Sequence, residues 1–431
     1  MKVYRFEELS RPELRKICTR NPVQDPELLR VCREIFEDVA TRGDAAVREL
    51  TRRFDGVDLT DYRVHAKEFQ KAAEQIPPQV QEALKHAASN IRKFHSAQTL
   101  TEGPVVVQEG VNCWRAARAI SSVGFYVPGG TAVLPSTVLM LGVPAKLAGC
   151  QKTLLCVPPD RDGNVSPIVL AAAQVAGVRQ VFKVGGAQAI AAMALGTETV
   201  PRVDKILGPG NRYTQTAKLL ATFHGVSIDM VAGPSEVLVI ADSLASPRVL
   251  AADLLSQAEH GADSQTVLVT TSETLIESTL AEVERQLADL PRRDLARQSL
   301  EQSFALLVPS FDAAFDFSNR YAPEHLILNM AEARDWLGKV HNAGSVFVGR
   351  LTPEVAGDYA SGTNHTLPTS GLARSMSGVS MDSFVKKITF QELSAQGLQT
   401  LSETLQTLAG EEKLEAHARA VRLRLEEVES E

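Results

Sequence analysis

The segment TLLCVPP, residues 153–159, is a short apolar strand that ends at two prolines, and the helix-like segment PIVLAAAQVAG, residues 167–177, follows it. The same order of strand and helix recurs at VFKVGG (181–186) and VDKILGPG (203–210), and SIDMVAGP (227–234) is a fourth strand-like run. A second series follows residue 235: EVLVIAD (236–242), QTVLVTT (265–271), FALLVPS (304–310), HLILN (325–329) and SVFVG (345–349). Strands that alternate with helices are typical of parallel sheets with both faces covered. The two series therefore predict an α/β fold with two lobes.

The segments that flank the two series are predicted to be helical. Residues 1 to about 100 have apolar residues at helical spacing, and Asp25 is placed to cap a helix that begins at Pro26. From about residue 380 the chain is polar with a helical period, and we expect a break at Gly410. An amphipathic tail of this kind covers either its own lobes or a second subunit.

The composition excludes several classes of protein. The chain has 431 residues, 44 % of them apolar, and a net charge of −7 without a stripe of Lys and Arg, so nucleic acid is not an expected partner. Its five cysteines form no C-x-x-C pair, which favours reduced thiols in a cytoplasmic protein. The N-terminus is charged, and the nearest candidate for a membrane span, residues 132–149, is broken by two prolines and a lysine. We therefore expect neither a signal peptide nor a membrane span.

Three glycine-rich turns follow strand-like runs: FYVPGGTA (125–132), KVGGAQAI (183–190) and LGPGNRYTQ (207–215). Glycine at the carboxyl ends of parallel strands lets a phosphate approach the main chain. None of the three has the spacing G-x-G-x-x-G, so tight turns without a ligand remain an equal alternative. The lobes are therefore Rossmann-like with an incomplete dinucleotide-binding pattern.

The segment LLSQAEHG, residues 254–261, contains two polar side chains that could share a ligand. Gln257 and His260 are three residues apart, so on a helix they lie on one face. An amide oxygen and an imidazole on the same face could bind a metal or a substrate. The alternative is a polar helix end that is capped by Gly261.

Further candidates lie in three segments that are distant in sequence. Glu324 and His325 are adjacent at the start of a strand-like run, where His could act as a general base and the carboxylate could activate water; the alternative is a surface pair. Asp358 and His365 lie in a loop rich in Gly, Ser and Thr, which could also be only a solvated loop. The tail adds Glu412 and His417, which could equally be exposed polar residues. Imidazole, carboxylate and amide donors together suit zinc, and also manganese or cobalt.

Long motifs add a resemblance that spacing alone does not provide. The segment IDMVAGPSEVLVIADSLASPRVLAADLLSQAEHG (228–261) closely resembles the signature segment of the histidinol dehydrogenase family. Five further segments look like that family in the same order: VGFYVPGGTAVLPSTVLMLGVPAKLAGC, VFKVGGAQAIAAMALGTETVPRVDKILGPGN, YAPEHLIL, AGSVFVG and GDYASGTNHTLPT. The resemblance extends over essentially the whole chain.

The resemblance implies a role for each matching residue. The zinc ligands would be Gln257, His260, Asp358 and His417. The substrate would contact the same four residues together with Ser235, His325 and Glu412. The NAD contacts would be Tyr126, Gln188 and Asn211, and the catalytic bases would be Glu324 and His325.

The resemblance also implies the reaction and the assembly. The expected activity is the oxidation of L-histidinol to L-histidine through a bound aldehyde, with zinc and NAD, in a homodimer whose partner supplies His417. The expected domains are an N-terminal helical extension (1–24), a first lobe with most metal and catalytic residues (25–125 and 235–379), an NAD-binding second lobe (126–234) and a helical tail (380–431). Two alternatives remain: a relative that acts on another small alcohol, and a sensor that binds metal and nucleotide without catalysis.

Overall fold

The computed structural model describes residues 1–20, 25–98, 102–129 and 133–430. The chain divides into two compact units, of which the first comprises residues 1–98 with 120–384 and the second comprises residues 99–119 with 385–431. The last three residues of the glycine-rich turn FYVPGGTA lie outside the described residues. The predicted α/β class is confirmed, because the first unit contains two parallel sheets.

A six-stranded sheet forms one half of the first unit. Its strands, in spatial order, are β1 (Lys2–Arg5), β11 (Phe304–Leu307), β10 (Gln265–Thr270), β9 (Glu236–Ala241), β12 (His325–Asn329) and β13 (Ser345–Val348). All neighbouring strands are parallel. Every residue of β9 and β12 is buried, as expected for parallel strands that are covered on both faces.

A five-stranded parallel sheet forms the other half. Its strands, in spatial order, are β6 (Gln180–Lys183), β5 (Lys152–Val157), β4 (Ser122–Tyr126), β7 (Lys205–Leu207) and β8 (Ser227–Ile228). The four short apolar segments of the first predicted series supply β5, β6, β7 and β8 in chain order. The order of the strands changes direction between β4 and β7, which places a topological switch point at the carboxyl ends of these two strands.

Helices cover both sheets of the first unit. They are α1 (Arg11–Cys18), α2 (Pro26–Arg42), α3 (Asp44–Phe54), α4 (Ala66–Gln75), α5 (Pro78–Ser96), α6 (Pro135–Ala148), α7 (Pro167–Ala176), α8 (Gly186–Leu195), α9 (Arg212–Phe223), α10 (Pro247–Ala258), α11 (Glu273–Leu287), α12 (Arg293–Gln302), α13 (Phe311–Tyr321) and α14 (Glu354–Tyr359). The predicted cap of α2 is confirmed, since the Asp25 side chain accepts a hydrogen bond from the Glu27 amide at 3.0 Å. In the described part of the chain, no helix combines the length and the apolar character that a membrane span requires.

Two placements differ from the predicted domains. The N-terminal extension is not purely helical, because β1 pairs with β11 at the edge of the six-stranded sheet. Helices α2, α4 and α5 pack against α6, α7, α8 and α9 of the five-stranded half, whereas the prediction grouped residues 25–125 with residues 235–379. The cause is the apolar face of α2, whose Ile35, Phe36 and Val39 join the core beside α8. The other bounds of the two lobes stay a prediction.

The second unit combines a hairpin with the end of the chain. Strands β2 (Val105–Gln108), β3 (Val111–Ala119) and β14 (Val385–Leu393) form an antiparallel sheet in the order β14-β3-β2, and α15 (Ala395–Glu411) packs on α16 (Glu415–Ser430). The prediction of a purely helical tail is therefore wrong for residues 385–393. Gly410 lies within α15, and the break comes at residues 412–414, where Lys413 adopts a φ of +59°.

Candidate active site

A cavity of about 510 Å³ lies between the two sheets of the first unit. The five-stranded sheet faces it with the segments that follow β7 and β8, including Asn211 and Met230. The six-stranded sheet faces it with residues that precede or begin its strands, including Ser235 and Glu324. The carboxyl edge of one sheet and the amino edge of the other therefore form opposite walls of the same cavity.

Glu324 and His325 reach the cavity because α13 ends abruptly three residues before Glu324. Ala322 caps α13 in the left-handed conformation with a φ of +52°, and the chain then turns directly into β12. The Glu236 amide donates to Glu324 Oε2 at 2.9 Å, and the Glu236 carbonyl lies 3.1 Å from His325 Nδ1. Nδ1 of His325 therefore donates to this carbonyl, which leaves Nε2 unprotonated and without a hydrogen-bond partner among the described residues.

Three ligand-type side chains converge beside this pair. Donor atoms of His260, Glu354 and Asp358 all lie within 4.8 Å of one another. Glu354 and Asp358 are four residues apart in α14, so their carboxylates share one face of the helix. His325 lies close to two carboxylates of this donor set. Its Nδ1 is 3.5 Å from Glu354 Oε1, and its Nε2 is 3.8 Å from Asp358 Oδ1. The arrangement is a mixed nitrogen and oxygen donor set of the kind that binds divalent transition metals.

Gln257 is fully buried at the end of α10, and neither its amide oxygen nor its amide nitrogen has a hydrogen-bond partner among the described residues. A buried amide without partners is costly, and its oxygen is of the type that can bind a metal ion. The predicted common helix face of Gln257 and His260 is wrong in detail, since α10 ends at Ala258. His260 lies in the following turn, where its amide donates to the Gln257 carbonyl at 3.1 Å.

His365 lies beside the donor set and contacts Asp358 and Thr137. Its Nδ1 lies 2.9 Å from the Asp358 carbonyl and its Nε2 lies 3.0 Å from Thr137 Oγ1. Burial lowers the pKa of His365 to about 4, so the ring is neutral, with Nδ1 donating and Nε2 accepting. Both ring nitrogens of His365 are thus engaged, one of them by the main chain of Asp358.

Burial shifts the pKa values of the titratable groups that meet here. It lowers the pKa of His325 to about 3 and raises that of Asp358 to about 6. Burial also raises the pKa values of Glu324 and Glu354 well above the usual range, and the charges of neighbouring carboxylates act in the same direction. Clusters of strongly shifted groups at a cavity are typical of catalytic sites.

The predicted dinucleotide contacts lie at the carboxyl edge of the five-stranded sheet. Asn211 lines the cavity and caps α9, because its side chain accepts hydrogen bonds from the Tyr213 and Thr214 amides at 3.0 and 3.1 Å. Tyr126 and Gln188 are 3 % and 1 % exposed. The Gly186 amide donates to the Tyr126 hydroxyl at 3.1 Å, so these two side chains lie behind the glycine-rich turn that begins α8.

A buried ion pair that the sequence analysis did not identify holds the turn after β7. Lys218 Nζ lies 2.5 Å from Asp229 Oδ1 and donates to the Gly208 carbonyl at 2.9 Å. Asp229 Oδ2 accepts a hydrogen bond from the Gly208 amide at 2.7 Å. The sequence signal was a lysine on the otherwise buried side of α9. Both ends of the pair therefore fix one glycine at the cavity wall.

The remaining predicted residues belong to the second unit. Glu412 follows the last residue of α15, and His417 lies in the first turn of α16. Both side chains are exposed, and they flank the break between the helices rather than sharing one helix.

Comparisons with known proteins show which family the chain belongs to. The sequence model of the family described as histidinol dehydrogenase matches residues 18–425. Histidinol dehydrogenase of Bacteroides thetaiotaomicron is 52 % identical over 416 residues, which are 96 % of this chain and 97 % of the relative. That of Xanthomonas axonopodis pv. citri is 54 % identical over 392 residues, which are 91 % of each chain. The crystal structure of histidinol dehydrogenase from Elizabethkingia anophelis matches with a TM-score of 0.96 and 48 % identity, over 100 % of this chain and 99 % of the other. The chain belongs to the histidinol dehydrogenase family.

Proposed function

We propose that this protein oxidises L-histidinol to L-histidine in two steps, through a bound aldehyde. The observation that carries the proposal is the buried pair of Glu324 and His325, which shares one cavity with His260 and Asp358. An imidazole base, a second carboxylate and a metal-type donor set are the groups that this chemistry needs. The family supports the choice of histidinol over another alcohol.

Zinc fits the donor set. Gln257 has a buried amide oxygen without a partner, and donor atoms of His260 and Asp358 converge in the same cavity. We propose that these three residues hold zinc together with His417 of a second subunit. When bound, zinc would supply Lewis-acid chemistry and help to place the substrate in the cavity. Ser235 and Glu412 are proposed as further substrate contacts.

NAD fits the opposite wall. The amino end of α9 lies at the cavity, where Asn211 and Arg212 line the wall, and the amino end of a helix favours the negative charge of phosphates. NAD⁺ would accept one hydride in each of the two oxidations. We propose Asn211 as a direct contact, with Tyr126 and Gln188 reached when the turn before α8 adjusts.

His325 is proposed as the base of both steps. Its Nδ1 donates to the Glu236 carbonyl, so the free lone pair of Nε2 faces the substrate hydroxyl. Burial lowers the pKa of His325 to about 3, and the ring is therefore neutral near neutral pH, with the lone pair of Nε2 available. In the first step Nε2 takes the proton of the alcohol. It returns this proton to the aldehyde oxygen during hydration, and in the second step it takes the proton of the aldehyde hydrate.

Glu324 is proposed to activate the water that converts the aldehyde into its hydrate. Burial raises the pKa of Glu324, which makes its carboxylate a stronger base than an exposed one. The Glu236 amide holds Oε2 at 2.9 Å, so Oε1 remains to accept a proton from water. Only the second oxidation requires this proton transfer.

The first experiment counts NADH per L-histidinol consumed, with protein that has been stripped of metal and reloaded with zinc. About two NADH per substrate, formed only with zinc, would support the proposal. One NADH with release of free aldehyde would retain the dehydrogenase but remove the role of Glu324. Activity on another alcohol with none on histidinol would favour the first alternative, and binding of zinc and NAD⁺ without any NADH would favour a sensor.

We further propose that two subunits share each active site through Glu412 and His417. The test mixes subunits that carry His417→Asn with subunits that carry Glu324→Gln. Exchange would create one site with neither substitution in each mixed dimer, so oxidation of L-histidinaldehyde, which both substitutions should impair, should return. No recovery, with exchange proven by native mass spectrometry, would contradict a shared site.

A further inference from the structure

One main-chain segment contacts both proposed catalytic side chains. Strands β9 and β12 are neighbours, and Val237 pairs with His325 in their register. Glu236, one residue earlier, donates its amide to Glu324 Oε2 and accepts from His325 Nδ1 through its carbonyl. The positions of both catalytic groups therefore depend on where the first residue of β9 lies.

The Glu236 side chain is itself anchored. It is 3 % exposed, and its Oε2 lies 2.8 Å from Arg20 Nη1. Its Oε1 accepts a hydrogen bond from the Ser370 amide at 2.9 Å. A carboxylate at this depth is strongly destabilised unless a cation and hydrogen bonds compensate for the lost water. Arg20 supplies that cation from the segment that follows α1.

Arg20 also contacts the end of helix α13, which precedes the catalytic pair in the chain. Its guanidinium lies over the Tyr321 ring at 3.4 Å from the centroid, and Nη2 donates to the Tyr321 carbonyl at 2.5 Å. Tyr321 is the last residue of α13, and its hydroxyl donates to Gln265 Oε1 at 2.8 Å. A single guanidinium thus ties the end of α13, three residues before Glu324, to the start of β9.

The geometry points to Arg20 and Glu236 as positioning residues of the active site, which act on Glu324 and His325 from outside the cavity. The inference rests on the proposed function, because it assigns a role toward the same two catalytic groups. Loss of the cation leaves a buried carboxylate unpaired, and the start of β9 must then shift or rehydrate. A displacement of about 1 Å at a reacting group can lower a rate by about 10²-fold.

This role has a kinetic signature. Glu324 serves only the second oxidation, whereas a shift of β9 displaces Glu324 and His325 together. Arg20→Gln should therefore lower kcat for L-histidinol and for L-histidinaldehyde by similar factors, about 10–100-fold, with KM changed by less than about threefold. Zinc content should not change.

The test measures both half-reactions, zinc content and thermal unfolding for Arg20→Gln, Arg20→Lys and the double variant Arg20→Gln/Glu236→Gln. The lysine variant keeps the charge, and the double variant removes both charges, so each should recover most of the lost kcat. The matched control is Glu68→Gln. Glu68 pairs with Lys183 at 2.6 Å and accepts from the His65 amide at 3.0 Å, but it belongs to the five-stranded half.

The expected result is a loss of kcat in both half-reactions for Arg20→Gln, with recovery in the other two variants and none of these effects in Glu68→Gln. A loss of thermal stability with unchanged kcat would overturn the positioning role and leave a structural ion pair. Equal impairment of the lysine and glutamine variants would overturn it too. Wild-type protein that forms no NADH from histidinol would instead overturn the proposed function.

Discussion

The two sheets of the first unit face the same cavity with opposite edges. The amino edge of the six-stranded sheet carries the titratable side chains of Glu324 and His325 at the start of β12, and the amide of Gln257 at the end of α10. The carboxyl edge of the five-stranded sheet carries glycine-rich turns and the amino ends of α8 and α9. Only the second edge follows the rule that ligands bind at the carboxyl ends of parallel strands.

The polarity of the helices explains the division. A helix carries a partial positive charge at its amino end and a partial negative charge at its carboxyl end. Helix α10 ends beside the donor set, where its negative end favours a cation, and α9 begins directly after its cap Asn211, where its positive end favours an anion. The difference suggests that one wall binds metal and substrate while the other binds the dinucleotide.

The largest effect is expected at the amino edge. His325→Gln removes the base of both steps, so kcat should fall by about 10²–10⁴-fold for histidinol and for the aldehyde. Zinc content and NAD⁺ affinity should stay unchanged. Stopped-flow measurement of NADH formation checks this, and a variant with more than half of the wild-type rate would remove His325 from the mechanism.

The substitution Glu324→Gln distinguishes the role of Glu324 from that of His325. Aldehyde oxidation should fall by about 10²-fold or more, because the water loses its base, whereas alcohol oxidation should change little. Steady-state rates with each substrate measure the split, and Glu332→Gln, at an exposed position, is the control. Equal losses in the two steps would contradict the assignment of Glu324 to water activation.

A substitution in the donor set should lower the affinity for zinc and leave the affinity for NAD⁺ unchanged. Asp358→Asn weakens a charged ligand, so zinc affinity should fall by at least about tenfold. The dissociation constant of NAD⁺ should remain as in wild type. Competition with a chromogenic chelator gives the first quantity and calorimetry gives the second, with the exposed Asp335→Asn as control. Unchanged zinc affinity would show that Asp358 is not a ligand.

A substitution at the carboxyl edge of the five-stranded sheet should have the opposite effect on the two affinities. Asn211→Ala removes the cap of α9, which should lower the free energy of unfolding by about 1 kcal/mol and weaken NAD⁺ without altering zinc affinity. Asn211→Ser retains a capping hydroxyl and should keep the stability. Denaturant unfolding and calorimetry test both variants. An alanine variant as stable as wild type would contradict the capping role.

The smallest expected effect concerns pH. Burial lowers the pKa of His365 to about 4, below its ordinary value of 6.5, so the unfolded chain binds its proton more readily than the folded one. Its contribution to stability is complete above pH 6.5 and is lost as pH falls towards 4. His365→Asn in metal-free protein should flatten the dependence of unfolding free energy on pH in that window. An unchanged slope would contradict a neutral, buried ring.

Sequence patterns predicted the strands of the sheets better than the packing of the helices that cover them. Parallel strands that are buried on both faces give continuous apolar runs, so β5, β6 and β9 could be recognised directly. The amphipathic period of α2 shows that one face is buried but not which surface covers it, and the contacts of α2 with α8 and α9 appear only in the structure. Strand β1 has four residues, too few for a period to emerge.

The candidate site was predicted as residues and not as an arrangement. The resemblance named Gln257, His260 and Asp358, but no pattern placed them near His325, because they belong to elements far apart in the chain. Glu354 was missed although it lies one helical turn before Asp358, since α14 has only six residues and reads as a loop. The contacts of Arg20 with Glu236 and Tyr321 depend on tertiary structure alone.

The pairing of distant strands has a consequence for the time course of synthesis. Strand β1 emerges first, but its partner β11 follows about 300 residues later, which at about 5–20 residues per second takes roughly 15 s to a minute. The β2–β3 hairpin is made almost as long before its partner strand β14. Until then it is a two-stranded hairpin, which alone is only marginally stable. Its outer strand exposes Val105, Val106 and Val107 even in the finished fold. A nascent chain, or one that ends before residue 385, therefore carries an unpaired apolar edge that favours aggregation.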